Sequence, residues 1–263
     1  MKKTLRIISL ILAVALLTLC FVGCGNKDTD SKTDGAADGK EWIVATDTVF
    51  KPFEYTDAEG NFVGIDVEIL AAIAEDQGFK YKLNSLGWDA SIAACQAGQA
   101  DAMIAGASIT EDRKNTGWIF SDGYYNCTQT MTVAKDSDIK GFEDLEGKTV
   151  AVKTGTQGAT YAESLKDQHK FKITYFEDSP TMYQAVTGGQ AVACFEDTPI
   201  MITSIKDGNL ALKVLENTAN AGSDYGLAIF NAENQEFLDM FNAGLKNIKE
   251  NGKYDEIINK YLG

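Results

Sequence analysis

The chain of 263 residues carries 38 acidic against 24 basic side chains and a single histidine. Removing an export leader that holds Lys2, Lys3 and Arg6 leaves 21 cations against the 38 acids, a net charge of −17. This argues against a nucleic-acid partner, whose binding proteins need a basic face, and it names no ligand, because solvated acids chiefly keep an exported protein soluble.

The first residues read as an address rather than as structure. Lys2, Lys3 and Arg6 precede an apolar run from Ile7 to Leu19, too short and too one-sided to cross a bilayer. Phe21-Val22-Gly23-Cys24 resembles a bacterial lipobox, with Phe21 where leucine is usual. Residues 1–23 are therefore expected to be a lipoprotein signal peptide, with Cys24 lipidated. Residues 24–40 hold no large apolar side chain and form a flexible tether. Together these place the protein on the extracytoplasmic face of the cell membrane, lipid-anchored.

From Glu41 onward strands and helices alternate, over about 223 residues, enough for one large or two small domains. Trp42–Thr46 reads as a strand and Asp57–Asn61 as a turn, with a helix over Asp66–Gln77 on the spacing of Ile65, Ile69 and Ile73. Strand Tyr81–Leu86, helix Trp88–Ala97 and strand Ala102–Ala105 follow, and Thr110 caps a helix carrying Arg113. A turn-rich segment leads to a β-type run over Thr128–Ala134. The alternation then resumes: strand Thr149–Val152, helix Gly158–Asp167, strand Lys172–Phe176, helix Pro180–Thr187, strand Ala191–Phe195, helix Thr198–Lys206 and strand Ala211–Leu215. A strand over Tyr225–Phe230 precedes two amphipathic helices, Gln235–Lys249 and Tyr254–Tyr261. Such alternation predicts parallel-rich α/β sheets in two lobes. Residues 41–126 and 226–263 make lobe 1 and residues 127–225 make lobe 2, with hinge crossings near 125–130 and 222–227.

Cys95, Cys127 and Cys194 sit in apolar or small-residue contexts without metal spacing and read as buried free thiols. His169 lies in the polar run Lys166–Lys170 and reads as a surface residue. With no metal cluster, phosphate loop or calcium loop, no cofactor or metal is expected, and a Ser-His-Asp hydrolase is disfavoured.

The candidate site residues follow strand ends, where open α/β sheets bind ligands. Asp47 and Phe50 follow the first strand and Trp88 the second. Ala105, Gly106 and Ser108 form a small-residue loop before Arg113, whose planar fork can hold a carboxylate bidentately. In the second half, Lys153-Thr-Gly-Thr-Gln157-Gly opens a helix whose backbone N–H groups favour an anion, and Phe195-Glu196-Asp197-Thr-Pro199 ends another strand with two carboxylates. Each also has a structural explanation: Asp47 and Asp197 as caps, Phe50 and Trp88 as core, Arg113 as a solvated helix cation. Taken together, a cationic fork, an amide nest, a facing carboxylate and aromatic walls complement a free α-amino acid.

These segments resemble the polar amino-acid branch of the bacterial extracellular solute-binding proteins that feed ABC importers. The resemblance rests on Ala45–Phe53, Val63–Val67, Ala105–Lys114, Phe120–Tyr125, Val150–Thr156, Glu196–Pro199 and Asn251–Glu256. It implies the two-lobed periplasmic-binding-protein-like fold (type II), with the ligand trapped in the cleft. It also implies that Arg113 takes the ligand α-carboxylate, helped by Ser108 and backbone N–H groups near Gly106 and Gln157, while Asp197 takes the α-ammonium. Asp47 lies toward the ligand side chain between Phe50 and Trp88, and Lys153 lines the second-lobe side. Glutamine binders can carry histidine at position 196, where this chain has Glu196.

The expected function is a non-enzymatic one: a monomeric lipoprotein captures a polar L-amino acid by cleft closure and delivers it to a membrane permease. Asp47 between aromatic walls favours glutamine, with arginine, lysine or histidine as the alternative. A cyclohexadienyl-dehydratase-like enzyme using Glu196 as its acid, and a receptor's ligand-sensing domain, are rivals from other classes.

Overall fold

The computed structural model describes residues 40–263. The signal peptide, Cys24 and all of the tether but Lys40 lie outside the described residues.

Two mixed five-stranded sheets organise the chain. In the first the order is β4-β1-β5-β14-β6, built from β1 (Glu41–Thr46), β4 (Lys80–Ser85), β5 (Ala102–Met103), β6 (Ile119–Phe120) and β14 (Ala228–Ile229). β1 runs parallel to β4 and β5, whereas β14 runs antiparallel to both its neighbours. The hairpin β2 (Tyr55–Thr56) and β3 (Phe62–Val63) closes over the turn expected at Asp57–Asn61. The second sheet has the order β10-β9-β11-β8-β12, from β8 (Gln129–Ala134), β9 (Thr149–Lys153), β10 (Lys172–Phe176), β11 (Ala193–Asp197) and β12 (Leu212–Leu215). Here β9 is parallel to β10 and β11, and β8 is antiparallel to β11 and β12. A two-stranded ribbon of β7 (Tyr125–Cys127) and β13 (Ser223–Tyr225) stands in the chain where one sheet gives way to the other.

Helices cover the sheets because their apolar positions recur on one face. α1 (Ile65–Gln77) buries Ile65, Ile69, Leu70 and Ile73 completely, and each such side chain contributes about 1.5–3 kcal/mol by leaving water. It packs on the C-terminal helices α7 (Gln235–Glu250) and α8 (Lys253–Leu262), whose Phe237, Phe241, Leu245, Ile248 and Ile257 join the same core. Trp42 of β1 stacks on Phe237 at 4.9 Å. The chain's return to its first sheet thus fastens the closing helices to the opening strand. In the second sheet, α4 (Gln157–His169), α5 (Ser179–Thr187) and α6 (Thr198–Gly208) cover two apolar clusters centred on Phe195 and on Met182 and Met201.

Several sequence expectations need correction. The β-type run over Thr128–Ala134 is the strand β8, and it lies inside the second sheet, paired with β11 on one edge and β12 on the other. The strand expected over Tyr225–Phe230 is split into β13 and β14. β11 spans Ala193–Asp197, shifted two residues from the expected Ala191–Phe195, and Glu196 and Asp197 end the strand. The turn-rich segment after Arg113 contains β6, paired with β14. His169 is half-buried, with its ring 5.4 Å from that of Phe142. Cys95, Cys127 and Cys194 are free and buried.

Candidate functional site

The site lies where strand ends and helix starts of the two sheets converge. From the first sheet, β1 delivers Asp47 and Phe50, and α2 (Trp88–Gln96) opens on Trp88. Beyond β5, Gly106 adopts the left-handed φ of +56°, and a Cβ there would lie 2.6 Å from the Phe50 ring. Glycine is what lets that aromatic wall rest on the loop. The short helix α3 (Glu111–Asn115) is capped by Thr110, whose Oγ1 accepts the Arg113 backbone N–H at 3.3 Å.

Arg113 is not the solvated cation that its Glu-Asp-Arg-Lys context allowed. Its side chain is wedged between Trp88 and Trp118, with the guanidinium carbon 5.1 and 4.9 Å from the ring centres. Nη1 donates to the Ser108 carbonyl at 2.9 Å, and Nη2 crosses to the Gly155 carbonyl at 3.2 Å. Burial draws its pKa down to about 10, so it stays a cation at neutral pH. Among the described residues it forms no ion pair. A buried cation held by neutral carbonyls is a receptor for an anion.

From the second sheet, β9 ends in Lys153. Thr156 then caps α4, accepting the Ala159 N–H at 3.3 Å, and turns the helix N-terminus toward the cavity. Gly155 sits between them with φ +70°, and a Cβ there would meet Trp88 Nε1 at 3.2 Å. Asp197 precedes α6, yet its side chain makes no capping bond. Instead Oδ1 accepts from Gln129 Nε2 at 2.5 Å and Oδ2 accepts the Tyr225 hydroxyl. Burial raises the Asp197 pKa, while Arg113 and Lys153 pull it back. Glu196 is held by the hydroxyls of Ser179 and Tyr183, at 2.7 and 3.1 Å, and by the Asp197 N–H at 2.9 Å. Burial, with Asp197 beside it, raises Glu196 to about 7.

One tightly closed cavity is lined by Asp47, Phe50, Trp88, Ala105, Gly106, Ser108, Arg113, Lys153, Gln157, Glu196 and Asp197, and also by Thr156. Every site candidate predicted from the sequence, apart from Cys24, is brought together here. A wider groove between α5, α6 and Lys51 offers mostly apolar walls, and its two charges, Lys51 and Asp207, are spent on each other at 2.6 Å, half-exposed on both sides. The chemistry selects the smaller cavity.

Two details differ from expectation. Asp47 is ion-paired with Lys153 across the cavity, both buried, and also accepts the Thr48 N–H at 2.6 Å. Lys153 therefore shares one part of the cavity wall with Asp47. The Gly106 N–H does not face the cavity: it donates to Asp66 Oδ2 at 2.8 Å. Sequence reading also missed Thr156, which its place just before Gln157 could have flagged as a cap. Gln129 and Tyr225, which orient Asp197, stand 68 and 28 residues from it and left no local signal.

Comparison with known proteins places this geometry. The sequence profile of the bacterial extracellular solute-binding proteins, family 3, matches residues 42–263. A probable histidine-binding protein of Neisseria gonorrhoeae is 30% identical over 252 residues, covering 95% of this chain and 93% of its own. An ancestral arginine-binding protein, solved with arginine and again with glutamine, is 32% identical, with a TM-score of 0.78 over 85% of this chain and 98% of that one. The ancestral amino acid-binding protein AncCDT-1, a precursor of cyclohexadienyl dehydratase, is 33% identical, with a TM-score of 0.75 over 85% of this chain and 95% of that one. The fold shared with these structures is the two-lobed periplasmic-binding-protein-like α/β fold.

Proposed function

Because the chain belongs to the bacterial extracellular solute-binding proteins, family 3, we propose that its cavity captures free L-glutamine for import. The observation that carries this reading is Arg113, a buried cation without an ion-pair partner, set in the same cavity as Asp197. Arg113 and the N-terminus of α4 take the α-carboxylate, and Asp197 takes the α-ammonium. The Asp47–Lys153 pair then faces the side chain. A neutral amide satisfies both members, donating N–H to Asp47 and accepting from Lys153. A guanidinium or ammonium tip would be set against Lys153, and an acidic tip against Asp47.

Binding works without bond chemistry. The ligand contacts groups from both sheets, so it favours the closed arrangement of the lobes over an open one, and the β7/β13 ribbon near 125–130 and 222–227 serves as hinge. The closed form docks on the permease of an ABC importer, while lipid on Cys24 keeps a monomeric protein near that partner.

Isothermal titration of the purified protein with each of the twenty L-amino acids tests the reading. Glutamine is expected to bind at micromolar or tighter affinity. Arginine, lysine or histidine as the tightest ligand would move the protein to the basic-amino-acid class, in line with the names of its relatives. Binding to none would sink the transport reading. Glu196, raised to about 7 beside the cavity, is the one observation favouring a dehydratase-like acid, and turnover of arogenate or prephenate would establish it. Arg113→Lys should weaken binding about tenfold or more through loss of the bidentate fork, and unchanged affinity would remove Arg113 from the site.

A further inference from the structure

Beneath the cavity, inside the first lobe, lie two carboxyl groups that ligand recognition leaves unused. Glu54, which pairs with Phe50 in the loop after β1, and Asp66, near the start of α1, are both fully buried. The Asp66 N–H donates to the carbonyl of Phe53, the residue before Glu54, at 3.0 Å, which sets the two buried side chains on neighbouring backbone. Asp66 Oδ2 accepts the Gly106 N–H at 2.8 Å and the Tyr124 hydroxyl at 2.9 Å. Asp66 Oδ1 and both Glu54 oxygens have no donor among the described residues.

Two buried, ionised carboxylates on neighbouring backbone, with three oxygens lacking donors, cannot persist away from water. One proton removes the repulsion and gives one of those oxygens a donor. Burial, then Asp66 and Asp47, push the Glu54 carboxyl well above its usual range, against the opposing pull of Lys153. Burial raises Asp66 to about 7. The titratable groups facing the pair are Tyr124 ahead of β7, Asp47 after β1 and Lys153 at the end of β9.

We propose that Glu54 and Asp66 share one proton and act as positioning residues for the ligand cavity. Glu54 donates the proton to Asp66, and the Asp66 carboxylate fixes the Gly106 N–H. Because the peptide is planar, this sets the orientation of the whole Ala105–Gly106 unit at the cavity wall. When the shared proton leaves, two adjacent anions drive Asp66 and its anchored peptide apart, and the wall loses its shape. The assignment rests on reading the cavity as an amino-acid site for its effect on affinity, but the shared proton itself does not.

Two measurements on the full protein test it. Infrared spectroscopy at neutral pH should show the carbonyl stretch of a protonated carboxylic acid, lost on alkaline titration of the wild type and altered in Glu54→Gln. Glutamine titrations from about pH 6 to about pH 9 should show wild-type affinity falling about tenfold on the alkaline side. Glu54→Gln carries a permanent N–H donor and should lose that alkaline fall. Absence of the carboxylic-acid band in the wild type overturns the proposal, whether or not any variant folds. An unchanged alkaline profile in Glu54→Gln overturns it equally. If no amino acid binds, the functional reading fails, while the infrared titration still decides the proton.

Discussion

Each lobe buries a pair of acids, and the two pairs answer the cost of burial differently. Glu196 and Asp197, ending β11, are surrounded by donors: Ser179, Tyr183, Gln129, Tyr225 and the Asp197 N–H. Glu54 and Asp66, in the first lobe, have the Gly106 N–H and the Tyr124 hydroxyl on a single oxygen and little else. The first arrangement sets Asp197 among donors at the cavity, where a ligand ammonium can join them. The second stores a proton under the cavity and uses the remaining charge to hold backbone. Donor supply therefore decides whether a buried acid serves the ligand or serves the fold.

The comparison breaks most readily at Asp197. Asp197→Ala should weaken amino-acid binding about 100-fold, the scale of a lost charge-assisted hydrogen bond, and calorimetry that finds less than a few-fold change would put the ammonium elsewhere. Next in size, Asp66→Ala leaves the Gly106 N–H and the Tyr124 hydroxyl without an acceptor, each costing about 1–3 kcal/mol of stability. Urea unfolding should show a clear drop in midpoint, and an unmoved midpoint would mean that water replaces the carboxylate.

A pH series sharpens both pairs together. Asp66 and Glu196 sit at about 7 in the folded chain, above the range near 4 usual for an unfolded carboxylate. The folded state thus binds more protons than the unfolded one between those values. The stability they contribute is complete below about pH 4 and is lost as pH rises through 7. The unfolding midpoint should be lower at about pH 8 than at about pH 5, and the reverse order would show that neither Glu196 nor the Glu54–Asp66 pair holds a proton in the folded state. The smallest effect belongs to Ser179→Ala, which removes one of three donors to Glu196. Affinity should move less than about threefold, with Glu196 titrating higher in a carboxyl-resolved NMR experiment.

Much of this was legible in the sequence because it is local. Asp47, Trp88, Arg113, Lys153 and Asp197 each stand at a strand end or a helix start that the apolar period marks, so their convergence followed from the alternation. What escaped is what depends on register between distant strands. Nothing near Asp47 announces Lys153, 106 residues away. The Gly106 N–H turns inward because Asp66, 40 residues earlier, reaches it, and a glycine-containing loop looks the same whichever way its amides point. The β-type run that forms β8 could be read as a strand but not placed between β11 and β12, because such a run does not disclose its neighbours.

The half-exposed Lys51–Asp207 contact on the wider groove and the buried Asp47–Lys153 pair inside the cavity are like contacts in different media. Dissolved salt screens the first and scarcely reaches the second. Rising ionic strength therefore separates them: brackish surroundings loosen the outer clasp, while the inner one holds steady.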